Sequence, residues 1–227
     1  MLHHARAYND APNRAAAAPK PPAGELFGKL INLSGRRRFT SQRVVLYAVL
    51  ASQGREGALA TARDALATFR DAHGALLEGD MSPAALGDEL QQAYFGADGA
   101  NERITAFIVL AGRTLDVVST QAFNAPALLE ELVEAATPLL ATLNRLTQIY
   151  EDLARQQAAS AKKQLTAVMG DIELIAKHAR IVSFNAQVVA ARAGTSGREF
   201  AVVSGELTQI TGKLDGLVRE AVRSAVA

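Results

Sequence analysis

The chain has no cysteine and no tryptophan. Without cysteine there is no disulfide, no thiolate nucleophile and no thiolate metal site. Aromatic residues make up only 5% of the 227 residues, although 49% are apolar. An apolar content with few aromatics is the composition of a helical bundle rather than a sheet. The net charge is +1, which removes any bulk electrostatic case for nucleic acid or an anionic membrane. No apolar run reaches about 18 residues, so a membrane span is not expected. The N-terminus lacks the apolar centre of a signal peptide, which points to the cytoplasm. Phosphate-cradling glycine loops, nucleophile motifs and metal-binding helix signatures are also missing, so an enzyme, a cofactor or a metal site is not expected.

What is present is helical periodicity. Residues 1–24 carry Ala, Pro and Asn with no apolar repeat and read as a disordered tail, in which His3 and His4 are incidental. A first helix spans about 25–53, a second 57–78 and a third 102–120, with a short helix near 84–94 between the last two. A fourth opens at Asn124-Ala125-Pro126, with Asn as N-cap and Pro in the first turn. Pro138 is expected to kink or break it. The fold class is all-α: a four-helix bundle over 25–153, a helical linker over 154–164 and an antiparallel coiled-coil hairpin over 165–227. His73 lies on the second helix's apolar stripe and reads as a satisfied bundle histidine.

The hairpin is the most patterned stretch. Leu165, Val168, Ile172, Ile175, Ala179, Val182, Ala186, Val189 and Ala193 recur at steps of three and four, the seam of a coiled coil. Gly194-Thr195-Ser196-Gly197 supplies the turn. Phe200, Val203, Leu207, Ile210, Leu214, Leu217 and Ala221 then resume the apolar repeat, so the two legs are expected to zip together along these residues.

On the first helix, Phe27, Ile31, Ser34, Arg38, Ser41, Val45 and Ala48 share a stripe with a small, polar middle. Arg36, Arg37 and Arg38 sweep about 200° around the helix, so they cannot all face water in a packed bundle. An inward guanidinium needs a partner. A small anion held by the fork-like N–H donors would serve, and so would an acidic neighbour such as Asp71 or Glu131, or a solvated basic turn. Gly35 in mid-helix costs about 1 kcal/mol relative to Ala, and close approach of a helix or ligand would explain it.

Two resemblances sharpen this reading. Asn185-Ala186, Ala190 to Gly194, Gly197-Arg198, Phe200 to Val203 and Glu206 resemble the tip of the methyl-accepting chemotaxis protein signalling domain. The resemblance implies that a CheW-like adaptor and a CheA-like histidine kinase dock at Asn185, Val188, Arg192, Gly194, Gly197, Phe200, Val202, Val203 and Glu206. The chain departs from that pattern at Lys177, at His178-Ala179-Arg180 and at Val189, where the family has an aromatic, Gln-Thr-Asn and Glu. The aromatic and the Glu serve trimers of dimers, and methylation segments are not evident.

Leu30 to Arg43, reading L-I-N-L-S-G-R-R-R-F-T-S-Q-R, resembles the opening motif of the type IV pili methyl-accepting chemotaxis transducer N-terminal (PilJ-type) domain. It is also similar to the nitrate-binding segment of NarX-type sensor kinases. The resemblance implies a homodimer in which Arg38 from both subunits clamps one nitrate or nitrite, with Gly35 touching it and Ser34 and Arg37 beside it. Arg37 stands where the pattern has Gln and Phe39 where it has Met. The function expected is a chemoreceptor-like transducer that senses a small anion. The alternative is a ligand-independent scaffold that binds CheW- or CheA-type partners or competes with receptors for them.

Overall fold

A computed structural model describes residues 23–226. The expected tail therefore lies outside the described residues, except that Ala23 and Gly24 already belong to the first helix. The helices are α1 (Ala23–Ser52), α2 (Ala58–Ala75), α3 (Pro83–Leu86), α4 (Asp88–Phe95), α5 (Ala100–Ser119), α6 (Ala125–Arg192) and α7 (Arg198–Val226). The described residues hold no strand, so the all-α expectation is met.

Helices α1, α2 and α5 pack with the first part of α6 as a four-helix bundle, and α4 closes against α5 and α6. Its core includes the aliphatic residues Val44, Ala48, Ala62 and Leu132. Phe69 and Phe107 stand edge to face at 5.6 Å in the middle. The short connections carry the turn chemistry. Gly54, Gly57 and Gly99 have φ of 77°, 73° and 54°, a left-handed conformation that costs glycine little.

Helix α6 is continuous over 68 residues, about 100 Å at 1.5 Å per residue. It runs through Pro138 without a break. Thr142 donates from Oγ1 to the Pro138 carbonyl at 3.1 Å, within the same turn. Asn124 precedes the helix as expected, but its side chain makes no capping bond; its carbonyl accepts from Leu128 N–H instead. No helix among the described residues is long and apolar enough to cross a membrane.

Beyond Leu153, α6 leaves the bundle core, and its later part pairs with α7. The turn is a short 3-10 segment, Gly194–Gly197. Gly194 takes φ 58°. Gly197 is buried, and a Cβ there would lie 2.2 Å from the Ala190 carbonyl oxygen, so only glycine lets the legs close.

The inside of the hairpin corrects part of the expected seam, of which Ile172, Ala179, Ala186, Leu214 and Ala221 are partly buried. Its buried residues are small or polar: Ala176, Ser183 and Ala190 on α6, and Ser204, Thr211 and Val218 on α7. Gln187 donates to the Ser204 carbonyl and to Thr208 Oγ1, and Arg180 pairs with Asp215, in one antiparallel register. The larger apolar residues at Leu165, Val168, Ile175, Val182, Val189, Phe200, Val203, Ile210 and Leu217 remain exposed. Small residues let two backbones come close; the bulky ones form a second face.

Candidate functional site

The polar middle of α1 is where the bundle departs from an aliphatic core. The inward stripe is Leu30, Ser34, Arg37, Ser41, Val44 and Ala48, all buried. It is Arg37 and not Arg38 that points inward, a correction of one residue, or 100° of helix rotation. Arg37 is wholly inaccessible to solvent. Its Nη1 donates to Nδ1 of His73 on α2 at 3.2 Å and to the Tyr94 hydroxyl on α4 at 2.9 Å. The Tyr94 hydroxyl shares a 3.0 Å bond with the Tyr150 hydroxyl on α6. The Arg37 guanidinium also lies 5.9 Å from the centre of the Tyr94 ring, which stacks on His73. Neither Asp71 nor Glu131 reaches Arg37; both are exposed.

His73 accepts through Nδ1, so its Nε2 carries the hydrogen and donates to Asn101 Oδ1 at 3.1 Å. It is the satisfied bundle histidine read from its stripe. Burial, and after it the charge of Arg37, hold its pKa at about 4 against the ordinary 6.5, while the bond to Asn101 opposes this. Burial and the neighbouring Tyr94 push the Tyr150 hydroxyl well above its ordinary value, so it stays protonated.

The sign of the pH effect follows. The folded chain holds His73 neutral, while the unfolded chain protonates it near 6.5. Its contribution is fully present above pH 6.5 and is lost as pH falls towards 4. At 1.36 kcal/mol per unit the loss is roughly 3 kcal/mol. Urea denaturation at stepped pH is expected to show wild type losing about that much more than His73→Gln between neutral pH and pH 4. Parallel slopes would contradict it.

Arg38 is half-buried, and its Nη1 donates to Asn144 Oδ1 on α6 at 3.3 Å. Gly35, beside it on the helix surface, has nothing within 4 Å of where a Cβ would stand. Packing within one chain therefore gives no reason for this glycine. Ser34 is buried, and its hydroxyl has no partner. The fold thus divides the four expected anion residues: Ser34 and Arg37 face inward, Gly35 and Arg38 outward. Tyr94, Tyr150, Asn101 and Asn144 were not anticipated as site residues. Two of the four tyrosines of an aromatic-poor chain meeting in one network is the signal that was available.

At the other end of α6, Asn185, Val188, Arg192, Phe200, Val202, Val203 and Glu206 are exposed around the turn. Gly194 shapes the turn, and Gly197 acts through its contact with Ala190 rather than by facing outward.

Residues 27–99, from α1 to the start of α5, match the family model of the type IV pili methyl-accepting chemotaxis transducer N-terminal domain. The biofilm dispersion protein BdlA of Pseudomonas aeruginosa is 26% identical over 150 residues, 66% of this chain and 33% of that protein. The methyl-accepting chemotaxis protein TlpQ of the same organism is 32% identical over 90 residues, 36% of this chain and 13% of that protein. The chain therefore spans only part of the length of these relatives. No solved structure matches. The chain is thus similar from α1 to the start of α5 to the type IV pili methyl-accepting chemotaxis transducer N-terminal domain, and over part of its length to a biofilm dispersion protein and a methyl-accepting chemotaxis protein.

Proposed function

We propose that the chain is a cytoplasmic, homodimeric transducer that senses a small anion, nitrate or nitrite, at the outer face of α1. It reports the anion through its hairpin tip to a CheW-like adaptor and a CheA-like kinase. In this reading Arg38 from each protomer clamps one anion across the dimer, and Gly35 leaves room for the partner's helix. One observation carries it: Arg38 is bonded to Asn144, and Asn144 stands on the helix that runs unbroken to the tip. An anion that engages Arg38 competes with that bond and so acts directly on α6. It shifts the equilibrium between two arrangements of α6 only by its difference in affinity for them.

Calorimetric titration tests this. Nitrate or nitrite is expected to bind at one anion per dimer, and Arg38→Ala to lose that binding. Absence of heat from both anions in the wild type would remove the sensor reading.

The ligand-independent scaffold is kept as a second reading by Val189, an exposed apolar residue where the tip resemblance implies Glu. In that case a purified adaptor binds the hairpin equally with and without anion.

A further inference from the structure

A groove between α5 and α6 takes no part in the contacts of Arg37 or Arg38. Arg103, Ala106, Phe107 and Leu110 of α5 line it, at steps of three and four that share one helix face. Glu131, Ala135, Pro138, Leu139, Thr142 and Arg145 of α6 line the other side at similar steps. Over these residues the groove follows α6 for about 21 Å at 1.5 Å per residue. It consists of two cavities of about 380 and 260 Å³, and Arg103 and Pro138 belong to both. The alanines on its walls are too short to fill it.

The groove is cationic at one end and apolar along the rest. Arg103 and Arg145 stand in the larger cavity, where Asp98 pairs with Arg145 at 2.8 Å. Arg103 is exposed and forms no ion pair among the described residues. The smaller cavity is floored by Phe107, Leu110 and Leu139, with Glu131 among its lining. Asp98 and Glu131 are the acids of the lining. The first is neutralised by its partner, and the second stands two turns of α6 from Pro138, away from Arg145. An unpaired guanidinium beside an apolar floor suits a molecule with one anionic head and an apolar chain. Glu131 opposes a second anionic group at the other end of that chain.

We infer that this groove binds a short aliphatic monocarboxylate, with its carboxylate on Arg103 and its chain over Pro138, Phe107 and Leu139. The site holds one molecule per chain and requires no second protomer. It differs from the outer Arg38 clamp in place and in ligand. Its occupant bears on α6 at Pro138, where the helix already lacks one backbone bond.

Hexanoate titrated into the full chain tests this, read by calorimetry and by saturation-transfer nuclear magnetic resonance of the ligand. Saturable binding at one hexanoate per chain is expected. Acetate lacks the chain, 1-hexanol lacks the charge, and adipate carries a second carboxylate towards Glu131. Each is expected to bind at least about tenfold more weakly than hexanoate. Arg103→Gln is expected to weaken hexanoate by about tenfold or more, the worth of a bond to a charged group. Ala106→Leu fills the groove from an exposed position and is expected to abolish binding with an unchanged circular dichroism spectrum. Arg38→Ala is expected to leave binding unaltered. Absence of both heat and saturation transfer from hexanoate overturns the proposal. Acetate binding as well as hexanoate overturns it too, and so does binding indifferent to Arg103→Gln or to Ala106→Leu. Loss of binding in Arg38→Ala would move the ligand to the outer face of α1 and also overturn it. Failure of nitrate and nitrite to bind leaves the hexanoate result in place, so the two readings fail separately.

Discussion

Tyr94→Ala is expected to cost the bundle about 5 kcal/mol or more, the largest loss of any single substitution in the polar network. Truncating a buried aromatic to Ala costs about 3–5 kcal/mol by itself. Tyr94 is fully buried and stacks on His73. Its hydroxyl is also one of two acceptors for the enclosed Arg37, so its removal leaves a buried cation short of a partner. A loss of this size approaches the whole stability of many domains. Conservative variants separate the two contributions. Tyr94→Phe keeps the ring and is expected to lose about 2 kcal/mol, since a bond to a charged group is broken and the Tyr150 hydroxyl is orphaned. Tyr150→Phe leaves the acceptor for Arg37 intact and is expected to lose about 1 kcal/mol. Urea denaturation at pH 7.5 ranks the three. Equal losses for the two Phe variants would show that Arg37 does not depend on the Tyr94 hydroxyl.

The second large effect belongs to the hairpin. Ile175 and Val182 are 63% and 61% exposed and lie away from the small-residue seam. Within one chain their replacement by Glu should leave helix content unchanged, because neither contributes to the buried Ala176–Ser183–Ala190 line. Across the proposed dimer the expectation reverses. Burying a Val or Ile side chain is worth about 1.5–3 kcal/mol, and a two-fold interface counts each position twice. The pair Ile175→Glu and Val182→Glu is therefore expected to weaken self-association by more than about a thousandfold, at 1.4 kcal/mol per tenfold. Sedimentation at micromolar concentration reads this as a change from dimer to monomer with an unaltered circular dichroism spectrum. A variant that stays dimeric would place the subunit contact elsewhere.

These two regions also mark how far the sequence could be read. The helices followed from period and punctuation: Gly54, Gly57, Gly99 and the Gly194–Gly197 turn all fall between elements. Part of the hairpin seam did not follow, for a physical reason. A heptad of Ile, Val and Leu reports which face prefers to leave water, not which helix covers it. The partner that comes closest selects Ala, Ser and Thr, which a search for apolar periodicity passes over. The error at the arginines has a related cause. The stripe on α1 is polar at its centre, so apolar positions at its ends could not fix the helix rotation to within one residue. Leu30 and Val44 set the true face, which turns Arg37 inward and Arg38 to the rim. Tyr94 lay beyond reach because α4 is an eight-residue helix inside a Gly-rich stretch. No local pattern says that such a segment folds back under the arginine.

Pro138 teaches the converse. Its local rule predicts a kink or a break, yet helix α6 continues without a break. Leu132, Leu139, Leu143 and Leu146 all face the core from both sides of it. Packing along that face outweighs the one backbone bond that proline removes.

In the proposed mechanism α6 carries the state of the bundle to the tip. The chain has no cysteine, so a spin label can be placed at one position. Gln157 is exposed on α6 just beyond the bundle. Gln157→Cys places one label per protomer, and pulsed dipolar spectroscopy measures the distance between them. A relay predicts a changed distance distribution at saturating nitrite or nitrate, with the change absent in Arg38→Ala. Identical distributions with and without anion, in protein shown to bind it, would contradict transmission through α6.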